Sequence, residues 1–303
     1  MRPRVLLRWA GRVAAAALGV LVLAAAGTYG ASEYKLTRRH EVPAHPFAVA
    51  PLGAAAAAAR VARGEHLATV RGCRDCHGEN LAGHLVVDDP AVGRIAGANL
   101  TRGGRGALLT DRDWERAVRH GVRRDGSPLL VMPSAEFTGI SDEDLAAIVA
   151  YVRSLPAVAA APPRVTLGPV LRGLAAAGVV RPAADEIDHA RAHPARVAAE
   201  PTARYGAYLA AGCTGCHGPG LSGGKIPGAP PDWKPSANIT PAGIGHYTEA
   251  DFVRALRTGV RPGGAPIDTA MPWPRLTSKM TDVELRALYA YLRTVPPRPY
   301  GHR

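Results

Sequence analysis

The longest apolar stretch of the chain lies near its N-terminus. From Val13 to Ser32 no residue is charged, and the twenty positions are rich in Ala, Leu, Val and Gly. That matches the roughly 20 residues a membrane-crossing helix needs. The short basic segment Met1–Arg12 before it would hold this end in the cytoplasm. A cleaved secretory signal fits the same features: a basic start, apolar Val13–Leu23, then the small residues Ala24-Ala25-Ala26. Either reading exports the rest of the chain. Glu33–Gly53 carries Pro43, Pro46 and Pro51 and reads as a stalk. Beyond it the apolar positions recur at helical spacing, in short segments with clear caps. Ala54–Val70 is one helix. Thr110-Asp111-Arg112-Asp113 caps another that carries Trp114 and Val118 and stops at Gly121. Ser141 and Asp144 form a capping pair ahead of the stripe Leu145, Ile148, Val149 and Val152, and Pro156 ends that helix. No strand alternation is evident, so the expectation is an all-α chain with long loops.

The pattern then repeats. Gly64-Glu65-His66-Leu67 answers Gly206-Ala207-Tyr208-Leu209, and Leu81-Ala82-Gly83 answers Leu221-Ser222-Gly223. Asn99-Leu100-Thr101 answers Asn238-Ile239-Thr240, Gly121-Val122-Arg123 answers Gly259-Val260-Arg261, and Ser141–Leu155 matches Thr281–Val295 without a gap. The offset drifts only between 138 and 142 residues. The chain therefore holds two homologous units, with these expected boundaries: an anchor or signal at 1–32, a stalk at 33–53, one domain at 54–156, a linker at 157–202 and a second domain at 203–303. Within the linker, Val170–Val180 reads as a short helix packed between the domains, and Ala183–Pro201 as solvated.

Composition adds two constraints. Aromatic residues make up only 5% of 303 positions, little for filling two cores. The net charge is +12, of which Arg2, Arg4, Arg8 and Arg12 supply four, leaving +8 for the rest. The arginines are scattered and no nucleic-acid motif or aromatic-interleaved basic patch is present, so the charge favours docking to an acidic protein or an anionic membrane rather than nucleic acid.

The repeat also contains all the cysteines. Cys73-Arg74-Asp75-Cys76-His77 and Cys213-Thr214-Gly215-Cys216-His217 use all four. C-x-x-C-H is the attachment pattern of a c-type haem: two thiols bond the vinyl groups and the histidine is placed to ligate iron. A zinc ribbon would bring its two pairs within roughly 15–20 residues of each other, far less than the interval here. A thioredoxin-like pair would need strand–helix alternation, which is not evident. Two covalent haems would also supply the flat apolar bulk that the aromatics lack. For the iron's other axial position, Met132 lies 55 residues after His77 and Met271 lies 54 after His217, each followed by proline before the last helix. With methionine this scarce, equivalent placement favours ligation over core packing. Met280 aligns with Ile140 directly before a helix cap and reads as packing. His66 aligns with Tyr208 and His120 with Thr258, so these histidines read as surface or packing residues.

Taken together, Gly-x-x-Leu before C-x-x-C-H-Gly, Asn-Leu/Ile-Thr, Gly-Val-Arg, Met-Pro and a terminal Tyr-Val/Leu-Arg helix resemble class I cytochrome c domains over about 54–156 and 203–297. The second unit is similar to the cytochrome subunits of bacterial membrane-bound dehydrogenases, which often carry three haems where this chain has motifs for two. It differs from the first at Pro241, where the first has Arg102-Gly103, so that loop is expected to differ. The resemblance implies two tandem haem domains behind a transmembrane helix, facing the periplasm, or soluble there after signal cleavage. Histidine–methionine ligation leaves no open iron position and raises the potential, so the expectation is an electron carrier with no catalytic residue of its own. Its donor would be a dehydrogenase or quinol-oxidising complex, and its acceptor a terminal oxidase or soluble cytochrome. A dihaem subunit of a haem-copper oxidase shares this layout. A dihaem peroxidase needs a displaceable ligand, and a thiosulfate-oxidising enzyme would need a further cysteine.

Overall fold

The computed structural model describes residues 3–302 except 228, 230 and 231, with side chains from residue 8 onward. Arg2, and the side chain of Arg4, therefore lie outside the described residues. Helix α1 (Pro3–Thr37) contains the apolar run. Among the described residues it is the one helix long and apolar enough to cross a membrane, with a mean hydropathy of 1.9 over its most apolar 18 residues and none of that window buried. Its last turns are tied to the protein: Lys35 Nζ donates to Ala176 O at 2.7 Å, and Arg172 donates to Ser32 Oγ and Glu33 Oε2 while stacking over Tyr29.

Each repeat is built on a crossing of its first and last helices. In the first unit α2 (Ala54–Val70) leads to the short α3 (Cys73–His77), then to the hairpin β1 (His84–Asp89) and β2 (Gly93–Gly97), α4 (Asp111–His120), α5 (Ser134–Phe137) and α6 (Asp142–Ser154). The linker adds β3 (Thr166–Leu167) and α7 (Pro169–Ala176). The second unit runs α8 (Ala203–Ala210), α9 (Thr214–His217), α10 (Pro241–Ile244), α11 (Glu249–Thr258) and α12 (Asp282–Leu292). The expected caps form. Thr110/Asp113, Thr248/Asp251 and Thr281/Glu284 are reciprocal capping boxes, and Ser141 accepts from Asp144 N–H. Gly121 and Gly259 end their helices with φ of 64° and 70°, which a glycine adopts without steric cost.

The packing explains the shared Gly-x-x-Leu. A β-carbon on Gly64 would lie 1.9 Å from Ala147 O, and one on Gly206 the same distance from Ala287 O. Only glycine lets α2 lie on α6, and α8 on α12, this closely. Leu67 and Leu209, three residues on, then enter two equivalent cores, with Leu145 and Leu285 on the opposing helices. Ile140 and Met280 are buried in those cores, each just before its cap and in the same cluster as Leu145 and Leu285 four positions into the helix, which is the staple arrangement expected of Met280.

Three sequence expectations are corrected. The chain is mostly helical, but β1, β2 and β3 form an antiparallel three-stranded sheet. Its run Leu85-Val86-Val87 is largely exposed, so it lacks the in–out alternation that marks a half-buried strand. A turn in which Asp89 Oδ1 accepts from Ala91 and Val92 N–H closes the hairpin. The stalk is no free tether, because Phe47 is buried in the first core and Val49 N–H donates to Asp111 Oδ2. The linker is not solvated throughout either: Ala184, Ile187 and Val197 are buried, and α7 packs on the end of α1 rather than between the domains. The loop difference after Asn-x-Thr is present. Pro241 opens α10 in the second unit, whereas the first has a 3₁₀ turn at Arg105–Leu108.

The helix crossing makes a direct prediction. Gly206→Ala forces overpacking and should lower stability by roughly 1–3 kcal/mol, read as a lower melting temperature of the haem-loaded protein; an unchanged melt would contradict the close crossing.

Candidate haem-binding site

The two C-x-x-C-H segments have the same local build. Gly78 N–H donates to Arg74 O and Gly218 N–H to Thr214 O, closing each short helix on a glycine with φ near 80°. The chain then turns through Leu81 and Leu221, which hold φ of 56° and 57°. This left-handed backbone is disfavoured for leucine and costs on the order of 1–3 kcal/mol. It persists because both side chains are buried and both carbonyls accept from the next strand of loop, at Leu100 N–H and Ile239 N–H. A strain repeated at the same place in two copies marks that loop as part of the site.

The histidines are fixed in the tautomer that iron needs. His77 Nδ1–H donates to Ala98 O at 2.7 Å, and His217 Nδ1–H donates to Ala237 O at 2.8 Å. With the proton on Nδ1, the lone pair is on Nε2 in both rings. Each unit also packs the same apolar, half-buried set against its core: Cys73, Leu100 and Met132 in the first, Cys213, Ile239 and Met271 in the second. Burial pushes the Cys73 and Cys213 thiols up to about 11, so they are uncharged at neutral pH. Two thiols, an oriented imidazole and a half-buried apolar set that includes a thioether fit a flat iron macrocycle attached through sulfur. The Asn-x-Thr segments fix Leu100 and Ile239 of that set. Asn99 and Asn238 each accept from the N–H and the hydroxyl of the threonine two residues on. Each amide group in turn donates to the chain beyond the last helix, at Val158 and Ala160 or at Arg298.

Profiles of known families match the same two segments: Cytochrome c over residues 203–296, and Cytochrome C oxidase, cbb3-type, subunit III over residues 59–152. Both units are cytochrome c domains. As such they carry covalent haem c, for which the pairs Cys73/Cys76 and Cys213/Cys216 supply the attachment pattern. The chain is similar to "Alcohol dehydrogenase (quinone), cytochrome c subunit" of Gluconacetobacter polyoxogenes, 29% identical over 80% of this chain and 57% of that protein. It is also similar to "Fructose dehydrogenase cytochrome subunit" of Gluconobacter japonicus, 28% identical over 82% of this chain and 55% of that protein. A shorter match, 40% identical, covers 31% of this chain and 22% of "Gluconate 2-dehydrogenase cytochrome c subunit" of Pantoea cypripedii. The chain thus spans little more than half the length of the first two relatives.

The two cytochrome c domains meet through a reciprocal interface. Asp144 at the start of α6 is held by Arg63 of its own unit, Nε to Oδ1 at 2.6 Å, and by Tyr208 of the other, Oη to Oδ2 at 2.7 Å. Its counterpart Glu284 is approached by Tyr205 of its own unit at 3.5 Å and held by His66 of the other at 2.9 Å. These positions are repeat equivalents, so the contact is swapped about an approximate two-fold. A second swapped pair reaches the haem motifs. Arg275 binds Asp75 inside the first motif at 3.1 Å, while Glu136, the repeat counterpart of Arg275, lies so close to Gly215 in the second that a side chain there would collide with it. Arg71 sits over the Tyr208 ring at 4.8 Å, with its Nε and Nη2 buried and unpartnered, and its charge bears on both Cys73 and Cys213.

His66 and Tyr208 are therefore contact residues between the domains. In a single copy they resemble any polar face of a helix; the available signal was that an N3 acid and a polar residue recur together in both units. Burial alone would raise the Glu284 carboxyl, but hydrogen bonds from His66 and Thr281 N–H hold it below its ordinary value. A depressed carboxyl contributes stability above the unfolded-state pKa of about 4.3 that is lost as pH falls through the folded value. Thermal stability should drop on acidification below about pH 4.3, and Glu284→Gln should remove part of that drop; an identical pH profile in the variant would contradict the assignment.

Proposed function

We propose that this chain is a dihaem electron-transfer subunit. Two tandem class I domains, behind a membrane-spanning helix, would take electrons from a membrane dehydrogenase at the periplasmic face and pass them into the respiratory chain. The observation that carries this reading is the reciprocal interface, which brings both attachment motifs to one shared boundary. The relatives' names point to the same use, since each is the cytochrome subunit of a dehydrogenase.

Each residue then has a role. Cys73, Cys76, Cys213 and Cys216 would bond the two haems, with His77 and Met132 as the iron ligands of the first and His217 and Met271 as those of the second. Haem bound there would supply the one-electron chemistry. The Nδ1 contacts of His77 and His217 hold the two imidazoles in place. Ligation by Met132 and Met271 would favour the reduced state and leave no position for a substrate. The proline after each methionine restricts the backbone beside the sulfur. Arg71, Glu136 and Arg275 keep the two motifs in register across the boundary.

The residues of α1 that pack on α7 (Tyr29, Ser32, Glu33 and Lys35) lie beyond Ala24-Ala25-Ala26 and would survive cleavage there, so the anchor reading is supported by the length and apolar character of α1. Haem-copper oxidase membership is favoured only by the match of the first unit to an oxidase subunit family; the relatives aligned across both units are dehydrogenase cytochromes.

Two experiments test the reading. Met132→Ala and Met271→Ala should each abolish one methionine–iron charge-transfer band and lower one midpoint potential while leaving the other haem unchanged; bands that survive both substitutions would remove these ligands. In membranes containing the protein, dehydrogenase substrates should reduce both haems, and oxygen should reoxidise them. Haems inert to both treatments would sink the electron-transfer role.

A further inference from the structure

Away from both haem motifs, the segment 38–53, helix α4 and the linker 183–197 converge on five histidines: His40, His45, His120, His189 and His193. At the centre, Glu115 and His120 of α4 and His193 of the linker have side chains only 2%, 2% and 3% exposed. One donor atom of each lies within 4.8 Å of the other two. Glu115 Oε1 is 3.1 Å from His120 Nε2 and 4.0 Å from His193 Nε2, and His193 Nδ1 is buried with no hydrogen-bond partner.

The proton count around His120 is short by one cation. His189 Nε2–H donates to Ala184 O at 3.1 Å, so His189 Nδ1 has a lone pair. That lone pair accepts from His120 Nδ1–H at 2.9 Å. A neutral His120 then points its Nε2 lone pair at a carboxylate oxygen, acceptor against acceptor. Either a proton or a metal ion must lie between them. A proton satisfies His120 and Glu115 but leaves the second imidazole, whose Nε2 converges on the same oxygen at 4.0 Å, without a role. A metal ion uses all three.

We propose that Glu115, His120 and His193 form a binding site for a divalent transition-metal ion, with zinc the ion best matched by two imidazoles and a carboxylate. Zinc binds nitrogen and oxygen at roughly 2.0–2.2 Å. The 3.1 Å donor spacing suits such bonds, and the 4.0 Å spacing closes with a small rotation of His193. The bond from His120 Nδ1–H to His189 is the outer contact that orients a metal-bound imidazole. The neighbouring charge permits a dication. Arg119 lies 3.7 Å from Glu115 Oε1 but is bound by Asp142 at 2.7 Å and by Ile140 O, so two carboxylates outweigh one guanidinium. His45, edge-on to His193, is itself bound to Asp142. The ion staples the linker between the haem domains to the first of them.

The test uses full-length, haem-loaded protein without a histidine tag, stripped with a chelator, equilibrated with zinc chloride and desalted. Elemental analysis then reads zinc against iron, with two irons per chain as the internal count. One zinc per two irons is expected, falling at least tenfold in Glu115→Gln and in His193→Gln but not in a control at exposed His246. Unchanged haem spectra in the variants show that the fold survives. Wild type retaining no more zinc than the two variants would overturn the site and leave the proton as the missing cation. Copper or nickel in place of zinc in protein isolated without added metal would keep the three ligands and overturn the choice of ion.

Discussion

The swapped contacts at Asp144 and Glu284 are the constraint on which the arrangement depends. Each acid starts the last helix of its own domain, so it is fixed by the capping geometry and by the glycine crossing beneath it. Each is also the point at which the other domain's first helix docks, through Tyr208 or His66. A single residue position thus joins the internal packing of a domain to the placement of its neighbour. Buried charge left unpaired costs several kcal/mol, so losing Tyr208 or His66 would expose an imbalance in one domain created by the other.

This coupling has a functional consequence. Because the interface is an approximate two-fold, equivalent surfaces of both domains are used in it, and those surfaces include the haem motifs. Arg275 reaches Asp75 and Glu136 reaches Gly215 from opposite sides. An asymmetric stacking of two domains would have placed one motif inward and the other outward. Domain duplication followed by self-complementary docking gives the inward placement twice, and a relay needs nothing more elaborate.

Much of this was legible in the sequence because it rests on local chemistry. Caps, glycine stops, the cysteine motifs and the gapless final helix depend on residues within a turn or two of each other. They recur at a nearly constant offset, which separates signal from chance. The hairpin at His84–Gly97 was not legible, because Leu85 and Val86 face solvent and supply no alternation. The linker's packing was hidden for another reason. Its proline-broken, alanine-rich composition has no period, and its burial comes from single residues, Ala184, Ile187 and Val197, reaching a surface built elsewhere. The interface was invisible in principle from either copy alone: His66 and Tyr208 share a position but not a chemistry, and only the folded pair shows them doing the same job. The five histidines around Glu115 likewise come from three separated segments.

The two haem motifs share a boundary, and paramagnetic resonance of the fully oxidised protein tests this most directly. Two ferric centres held across the Arg71–Tyr208 contact should broaden each other's spectra, and the broadening should vanish when one haem is reduced or when Cys213 and Cys216 are replaced by alanine. A fully oxidised spectrum equal to the plain sum of two isolated haems would contradict the arrangement.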